Sequence, residues 1–304
     1  MNFVTGLKNL VKRLPGISKI VAHRDRLLES YGFVPPGHYL SPIISIDEYL
    51  QDEIKLAAAP PTQMLGIDLN LAGQLDMLQK LSPFWHQSLF TNEPTPANRY
   101  YTNNPAFGSS DAFSLHGMIR HFKPKRLIEV GSGLSSCVTL DVNEQHCNNA
   151  IELTFIEPYP DLLKRLMRKE DLARHTIMPS RLQDVPLDVF AKLQADDILF
   201  IDSTHVSKLN SDVNYLFFEI LPRLATGVIV HVHDIFYPFD YPREWVLEGR
   251  SWNEAYVLRS FLQYNQKFEI IFFNNYLQTQ QAQLFRDALP ELDLNGGSIW
   301  LRVN

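Results

Sequence analysis

The sequence has few cysteines, and their spacing excludes two common roles. Cys137 and Cys147 are the two cysteines among 304 residues, and ten positions separate them. A disulfide framework needs several pairs, and a structural zinc site needs closely spaced pairs of ligands. We therefore expect both residues to be reduced thiols.

Long apolar runs and a surplus of positive charge are also missing. No apolar run approaches the roughly 20 residues that cross a bilayer, and the first residues lack the apolar core of a secretory signal, so we expect a cytoplasmic protein. The 28 Lys and Arg residues are outnumbered by 34 Asp and Glu residues, which gives a net charge of −6. Nucleic-acid-binding proteins carry a basic surplus, so we expect no nucleic-acid partner.

The basic residues that are present gather near the N-terminus. Residues 1–28 contain six Lys or Arg residues and one acid, Asp25. Apolar residues recur there at helical spacing, at Phe3, Leu7, Leu10, Val11 and Leu14. The pattern predicts an amphipathic basic helix, which could contact an anionic membrane surface or pack on its own domain or a second subunit. Several prolines in residues 31–61 then predict a covering arm.

From residue 126 onward, short apolar runs alternate with helical patterns. We predict strands over residues 126–130, 151–157, 176–178, 198–205, 227–234, 268–275 and 297–303. Such alternation predicts an α/β fold with a parallel sheet and right-handed crossovers. We therefore divide the chain into an N-terminal basic helix and Pro-rich covering arm over residues 1–95 and a cofactor-binding domain over residues 96–304.

The first predicted strand leads into a glycine turn, in the stretch KRLIEVGSGLSS. Gly131, Ser132 and Gly133 allow a sharp turn against a ligand, and the next helix offers unpaired N–H groups. A dinucleotide fingerprint would need a third glycine where Ser136 stands. Glu129, directly before the turn, would repel a pyrophosphate but suits an ammonium or sulfonium group. The turn favours a cationic ligand, and an NAD-linked oxidoreductase is the alternative.

Polar residues also end the other predicted strands. Glu157 ends the second strand, where a carboxylate can accept both ribose hydroxyls of an adenosine. Asp202 and His205 follow the fourth strand, and His233 and Asp234 end the fifth. Polar groups at strand ends need partners or a ligand. These carboxylates and imidazoles can bind a divalent ion or hold a general base, and the sequence leaves both open.

Three segments carry a resemblance to a known family: RLIEVGSGLSS, LFIDSTHVSKLNSDVNY and VIVHVHDIFYPFDYPREW. They are similar to the bacterial class I S-adenosylmethionine (SAM) methyltransferases of the Methyltransf_24-like group, whose neighbours include catechol O-methyltransferase-like and cephalosporin-hydroxylase-like proteins. The resemblance covers residues 95–304. It implies SAM as cofactor and a Rossmann-like class I methyltransferase fold, with a seven-stranded, mostly parallel sheet, an antiparallel last strand and an N-terminal arm.

The resemblance also implies roles for individual residues. The expected cofactor-binding residues are Glu129, Gly131, Ser132, Gly133, Ser135, Glu157, Asp184 and Asp202. In the metal-dependent relatives, an acid after the fourth strand and a pair after the fifth bind magnesium; here Asp202, His233 and Asp234 stand at those positions. Magnesium prefers oxygen ligands, so His233 implies either a softer divalent ion or no metal, with His205 or His233 as base. The catalytic candidates are His205, His233, Asp202 and Asp234.

The aromatic segment after the fifth strand is our candidate wall for the methyl acceptor. The expected substrate-binding residues are Tyr101, Tyr237, Tyr241, Arg243 and Trp245. Aromatic faces with interspersed charges suit a sugar or polyol, and they equally suit a helix-packing or dimer surface. We predict a SAM-dependent O-methyltransferase acting on a small molecule or glycan. The alternatives are an NAD-linked oxidoreductase and a catalytically silent SAM-fold binding protein.

Overall fold

A computed structural model describes residues 15–56 and 60–304 of the protein. Most of the predicted N-terminal basic helix, over residues 3–14, lies outside these residues. The chain divides into two compact units, one of Met1–Ala59 with Arg243–Ser251 and one of Pro60–Pro242 with Trp252–Asn304. None of the described helices combines the length and the apolarity that crossing a membrane requires.

The smaller unit is helical where the structure describes it. It contains α1 (Pro15–Tyr31), α2 (Ile46–Leu56) and, much later in the chain, α9 (Arg243–Leu247). The proline-rich stretch between α1 and α2 forms turns, because proline removes backbone donors and limits helix formation. Ser45 Oγ then accepts a hydrogen bond from Glu48 N at 3.3 Å and caps the start of α2.

The larger unit contains a seven-stranded sheet flanked by helices. Its strands are β1 (Arg126–Val130), β2 (Glu152–Ile156), β3 (Thr176–Met178), β4 (Ile198–Ile201), β5 (Ile229–Val232), β6 (Phe268–Phe273) and β7 (Ile299–Val303). Its helices are α3 (Leu71–Trp85), α4 (Ser109–Phe122), α5 (Leu134–His146), α6 (Asp161–Leu166), α7 (Lys169–Arg174), α8 (Asp212–Tyr215), α10 (Glu254–Leu262), α11 (Asn274–Gln280) and α12 (Ala282–Ala288). The chain after α8 continues as a π turn (Leu216–Ile220) and a 3-10 turn (Leu221–Arg223).

The strand order is β3-β2-β1-β4-β5-β7-β6. Strands β1 to β5 run parallel to one another, and β7 runs antiparallel between β5 and β6. All residues of β4 and β5 are buried, as expected for parallel strands covered by helices on both faces. The predicted α/β fold, with a mostly parallel seven-stranded sheet and an antiparallel last strand, is confirmed.

The register of the central strands aligns their ends. Val130 pairs with Ile201, and Ile201 pairs with Val232, so β1, β4 and β5 end side by side. The sheet order also reverses here, because β2 lies on one side of β1 and β4 on the other. Ligands of open α/β sheets bind at such a switch point, beyond the carboxyl ends of the strands. The polar residues after these three strands therefore define the candidate site.

Helix α3 belongs to the larger unit, where it packs against α4 and β6. The larger unit thus begins at Pro60, whereas the sequence predicts the main domain from residue 96. The additional segment covers the outer edge of β6, where Asn70 Nδ2 donates to Ile270 O at 3.0 Å and Phe273 N donates to Gln74 Oε1 at 2.8 Å. The division at residues 95 and 96 stays a prediction of where the methyltransferase part begins.

Candidate active site

The turn after β1 brings its backbone against the end of β4. Gly131 has φ +78°, and a Cβ atom there would lie 2.0 Å from the carbonyl oxygen of Asp202. Gly131 N donates to Ile156 O at 3.0 Å, and Asp202 N donates to Val130 O at 2.8 Å. Only glycine fits this position without moving the backbone. At Gly133, in contrast, an added Cβ would meet no atom within 4 Å, so the outer side of the turn is open.

Glu129 is fully buried directly beneath this turn. Its Oε1 accepts hydrogen bonds from Ser135 Oγ at 2.6 Å and Ser136 Oγ at 2.9 Å, while Oε2 has no partner among the described residues. Burial raises the pKa of Glu129 to about 8, although the two serine hydroxyls oppose the shift. A ligand cation would satisfy the free oxygen and favour the ionised carboxylate. The Oγ of Ser132 is likewise buried without a partner in the described chain.

Asp202, His205 and Asp234 form a cluster at the ends of β4 and β5, which we call the strand-end cluster. His205 Nε2 lies 3.4 Å from Asp202 Oδ1 and 3.5 Å from Asp234 Oδ2. One ligand atom from each residue lies within 4.8 Å of the others, a spacing that a single metal ion can bridge. Two carboxylates and one imidazole form a donor set that fits a divalent ion.

Glu254, at the start of α10, contacts the ring nitrogen of His205 that is directed away from Asp202 and Asp234. The Nδ1 of His205 lies 2.8 Å from Glu254 Oε2, and Ser203 Oγ donates to both oxygens of Glu254 at 2.9 Å. Glu254 is fully buried, and the ring of Trp252 lies 4.3 Å from that of His205. With Nδ1 held by the carboxylate, Nε2 faces Asp202 and Asp234.

The backbone of the cluster is unusual at two of its three positions. His205 has φ +60° and Asp234 has φ +57°, in the left-handed region that L-residues seldom occupy. The carbonyl of His205 accepts from Asn253 N at 3.0 Å and from Glu254 N at 3.2 Å, which ties this conformation to the first turn of α10. Residues held in this region cost of order 1–3 kcal/mol each and cluster at functional sites.

The charges around His205 decide its protonation state. Burial lowers the pKa of His205, but the carboxylates of Asp202 and Glu254 outweigh burial and raise it to about 10. Burial likewise opposes the ionisation of Asp202, yet His233 and His205 hold its pKa below the ordinary value. His205 is therefore protonated at neutral pH when no cation competes, which makes it a poor general base in that state.

His233 lies beside the strand-end cluster and outside the three-residue ligand group. Its Nε2 is 3.6 Å from Asp234 Oδ1, its ring lies 5.2 Å from that of Phe107, and its Nδ1 has no described partner. Burial lowers the pKa of His233, and Asp234, Asp202 and Asp111 together raise it above the ordinary value. The residues whose spacing could hold a metal ion thus include His205 rather than His233, and the predicted metal role of His233 stays a prediction. The strand's alternation directs His233 to the same side as the buried His231.

A buried chain of hydrogen bonds starts at His231, on the strand that leads to His233. His231 Nε2 lies 3.0 Å from Ser298 Oγ, and Ser298 Oγ donates to Asp111 Oδ1 at 2.6 Å. Gly297 N donates to the same oxygen at 3.0 Å. Burial lowers the pKa of His231 far below its ordinary value, so this residue is neutral. These contacts link β5, β7 and the start of α4 behind the site.

The remaining residues with a predicted cofactor role lie farther along the same sheet edge. Glu157 follows β2, is partly exposed, and accepts a hydrogen bond from Tyr159 N at 2.8 Å. Asp184 is exposed and pairs with Arg181, whose Nε lies 2.8 Å from Asp184 Oδ2. The neighbouring Leu182 is buried. The ribose role of Glu157 and the cofactor-binding role of Asp184 stay predictions.

The predicted acceptor residues have varied surroundings. Tyr237 and Tyr241 are buried, with the hydroxyl of Tyr237 donating to Pro61 O and that of Tyr241 accepting from Ala255 N. Tyr101 is partly exposed in a loop whose backbone pairs with Thr91. Arg243 and Trp245 lie on α9 in the smaller unit. The hydroxyls of the two buried tyrosines are therefore engaged by backbone groups, and all five substrate roles stay predictions.

Two residues of this site carry no signal that sequence reasoning could use. Glu254 lies 49 residues after His205, and in sequence it is one acid in the first turn of a helix, where acids are common. Asp111 likewise stands at a helix start, yet its side chain bonds to Gly297 and Ser298. Their contacts depend on how distant segments pack, and a single sequence does not reveal that.

Comparisons with known proteins agree with this geometry. Residues 128–235 match the family model described as methyltransferase domain, Methyltransf_24. A protein of Archaeoglobus fulgidus, named only as an uncharacterized protein, is 37% identical over 173 residues, which cover 54% of this chain and 75% of that relative. The fold and the glycine turn define a class I SAM-dependent methyltransferase. Within that class, the chain belongs to the Methyltransf_24 family.

Solved structures of methyltransferases are similar to this chain at low identity. The SAH-bound methyltransferase PaMTH1 of Podospora anserina is 14% identical, with a TM-score of 0.41, over 87% of this chain and 100% of that chain. The O-methyltransferase TomG of Streptomyces achromogenes, in complex with SAM, is 15% identical, with a TM-score of 0.45, over 75% of this chain and 99% of that chain.

Proposed function

We propose that this protein transfers the methyl group of SAM to a hydroxyl oxygen of a small molecule or glycan. The observation that carries the proposal is the juxtaposition of two sets of groups at one sheet edge. Glu129 lies near the end of β1, and the glycine turn follows that strand. The strand-end cluster follows β4, which pairs with β1, and β5, which pairs with β4. The first set suits the cofactor, and the second suits a hydroxyl that must lose its proton.

Two features support SAM as the cofactor: the carboxylate of Glu129 and the exposed main chain of the glycine turn. The free Oε2 of Glu129 can accept from the ammonium group of the methionine part of SAM, a charge-assisted hydrogen bond. The open outer side of Gly133 gives that part room against the main chain. Glu157, at the end of the neighbouring β2, suits the ribose hydroxyls. This arrangement supports SAM rather than a dinucleotide, whose pyrophosphate Glu129 would repel.

The transfer makes modest demands on the protein. An oxygen–carbon bond forms as the carbon–sulfur bond of the sulfonium breaks, S-adenosylhomocysteine (SAH) leaves, and the hydroxyl proton is lost. The protein must align oxygen, methyl carbon and sulfur and accommodate that proton. The carboxylates of Asp202 and Asp234 lie at the ends of β4 and β5, beside the proposed cofactor site, and a carboxylate oxygen there can accept the proton that the hydroxyl loses.

The strand-end cluster supports a ligand role for His205 more than a role as base. Its Nε2 is directed toward two carboxylates, and its Nδ1 is held by Glu254. Asp202, His205 and Asp234 would hold a divalent ion. When bound, such an ion lowers the pKa of a coordinated hydroxyl and so supplies the activation that the acceptor needs.

Calorimetric titration with SAH and with NAD tests the cofactor assignment. We expect SAH to bind and NAD to give no heat; NAD binding without any response to SAH would overturn the proposal.

A panel of phenols, sugars and amines with methyl-labelled SAM then tests the reaction, with methyl ethers detected by mass spectrometry. We expect oxygen-linked products. Methylation confined to amines would contradict the oxygen specificity, and SAH binding with no turnover on any acceptor would favour a silent SAM-binding protein.

Chelation tests the role of the strand-end cluster. We expect activity to fall after treatment with a chelator and to return when a divalent ion is added back. The Asp202→Asn variant, which removes one charge at nearly constant shape, should need more added ion for the same recovery. Full activity in chelator would instead support a metal-free mechanism with His233 as the base.

A further inference from the structure

We infer that His205 is the nitrogen ligand of a transition-metal ion at the strand-end cluster, and that Glu254 is the positioning residue that prepares its imidazole for that ion. The inference deepens the proposed function, because it concerns the same site. The ligand atom would be Nε2 of His205, Glu254 would fix the orientation of the ring, and the site would prefer a transition-metal ion.

The orientation of the ring is the first argument. A ring nitrogen that faces a carboxylate at 2.8 Å carries the proton, so Nδ1–H of His205 donates to Glu254 Oε2 when the imidazole is neutral. The lone pair is then on Nε2, which faces Asp202 and Asp234 at 3.4 and 3.5 Å. In metal-ligating histidines, the second ring nitrogen almost always donates to a carboxylate, a backbone carbonyl or water.

The rigidity of the support is the second argument. Glu254 is fully buried and receives the hydroxyl of Ser203, and the amide of His205 donates to that same hydroxyl oxygen at 3.0 Å. The carbonyl of His205 accepts from Asn253 N and Glu254 N. Both the main chain and the side chain of His205 are therefore fastened to the first turn of α10. A ligand fixed in this way binds an ion without losing further conformational freedom.

The chemistry of the donors is the third argument, and it concerns the choice of ion. Magnesium takes oxygen ligands and dehydrates reluctantly, whereas imidazole suits iron, nickel, copper and zinc. A site with one imidazole and two carboxylates should therefore prefer these ions over magnesium more strongly than a site with oxygen ligands alone. Replacing His205 by an acid should move the preference back toward magnesium.

His233 is the competing nitrogen ligand, and its surroundings argue against it. Its Nε2 is 3.6 Å from Asp234 Oδ1, and it does not belong to the three-residue ligand group. Its Nδ1 has no partner within the described residues, so nothing there selects the tautomer that a ligand needs. The two histidines can therefore be told apart by substitution.

The direct test is proton NMR of the tag-free, metal-stripped full-length protein after addition of Co²⁺. Cobalt shifts the exchangeable N–H proton of a coordinated imidazole far outside the normal range. We expect such a resonance in the wild-type protein and in His233→Asn, and we expect it to be lost in His205→Asp. No shifted N–H resonance in the wild type, or its loss in His233→Asn with retention in His205→Asp, would overturn the inference. The wild-type spectrum is decisive even if a variant fails to fold.

Calorimetric titration with Ni²⁺ and Mg²⁺ measures the ion selectivity. We expect the ratio of nickel to magnesium affinity to fall at least about tenfold in His205→Asp, and nickel binding to weaken about 10–100-fold in Glu254→Gln. An unchanged ratio in His205→Asp would contradict the assignment. SAH titration of each variant verifies that its fold and cofactor site are intact. These titrations need neither SAM nor an acceptor. Metal binding at the cluster and the proposed methyl transfer are therefore tested independently, and either one can fail without the other.

Discussion

At the scale of single residues, the buried Glu129 predicts that the affinity for SAH depends on pH. Its pKa is raised to about 8 by burial, so the free protein holds it protonated below that pH. An ammonium group requires the ionised carboxylate, and the proton must therefore leave on binding. We expect the affinity for SAH to fall by up to about tenfold per pH unit as pH drops from 8 to 6. Calorimetry across this range measures the slope.

Glu129→Gln isolates that effect. The amide keeps the shape of the side chain but carries no charge, so SAH should bind about 10–100-fold more weakly at pH 8, the loss of one hydrogen bond to a charged group. The pH slope should disappear. Glu152→Gln, at an exposed position on β2, is the matched control and should bind SAH as the wild type does. Equal SAH affinity in wild type and Glu129→Gln would rule out the ammonium contact.

His116 predicts a separate dependence of stability on pH. It is buried among aromatic rings, including those of Trp85 and Phe90, and neither ring nitrogen has a partner in the described chain. Burial lowers its pKa to about 3. The unfolded chain then binds the proton more strongly, so this contribution to stability is complete above pH 6.5 and is lost as pH falls toward 3. The loss should approach about 1.4 kcal/mol per pH unit.

The variant His116→Phe tests this linkage by urea unfolding at pH 7.5 and pH 5. Phenylalanine cannot be protonated, so the decrease in unfolding free energy between the two pH values should be smaller than in the wild type. Comparison at pH 7.5, where histidine is neutral in both states, gives the packing cost of the substitution alone. The same pH dependence in both proteins would place the acid sensitivity elsewhere.

At the scale of elements, the turn between β1 and α5 contains two glycines with different constraints. Gly131→Ala forces a Cβ to within 2.0 Å of Asp202 O at positive φ, so we expect a loss of more than about 2 kcal/mol in unfolding free energy. In Gly133→Ala the added methyl group meets no protein atom within 4 Å, so stability should change much less, and we expect that group to weaken SAH binding at the proposed cofactor site. Urea unfolding and SAH titration of both variants measure these outcomes. Equal stability loss in both would contradict this distinction.

Arg99 joins helices α5 and α7 through buried ion pairs. The guanidinium of Arg99 contacts Asp141 and Asp171 at 2.7 Å and is almost fully buried with them. Removing one member leaves buried carboxylates unpaired, so Arg99→Ala should lose about 3–5 kcal/mol in urea unfolding. Arg181→Ala removes an exposed ion pair with Asp184 and should leave the unfolding midpoint nearly unchanged. Comparable losses in the two variants would contradict the role assigned to burial.

The elements also show what a single sequence can predict. The periodicity predicts the seven strands, and parallel pairing then brings Asp202 and Asp234 to one edge. The direction in which His205 leaves that edge depends on a left-handed backbone and on Glu254, and neither has a local pattern. The aromatic run after β5 is visible in sequence, yet the hydroxyls of Tyr237 and Tyr241 bond to the backbone. Strand ends are predictable, but side-chain direction beyond them depends on tertiary packing.

At the scale of the whole molecule, the larger unit holds every strand and every residue of the strand-end cluster. We therefore expect a chain that starts at Pro60 to unfold cooperatively and to bind SAH within about threefold of the full-length protein. Circular dichroism during urea unfolding and calorimetry measure the two properties. Loss of SAH binding in a folded truncated chain would assign part of the cofactor site to the first 59 residues.

The position of β7 affects how this molecule can be assembled during synthesis. Residues 299–303 fill the gap between β5 and β6, so both of these strands keep an open edge until residue 303 has left the ribosome. Translation adds about 5–20 residues per second, and unpaired strand edges are prone to association during that interval. Ser298, which directly precedes β7, is also needed to complete the polar chain behind His231. Closure of the sheet and completion of the buried support behind the site thus depend on one segment, Ser298 together with β7.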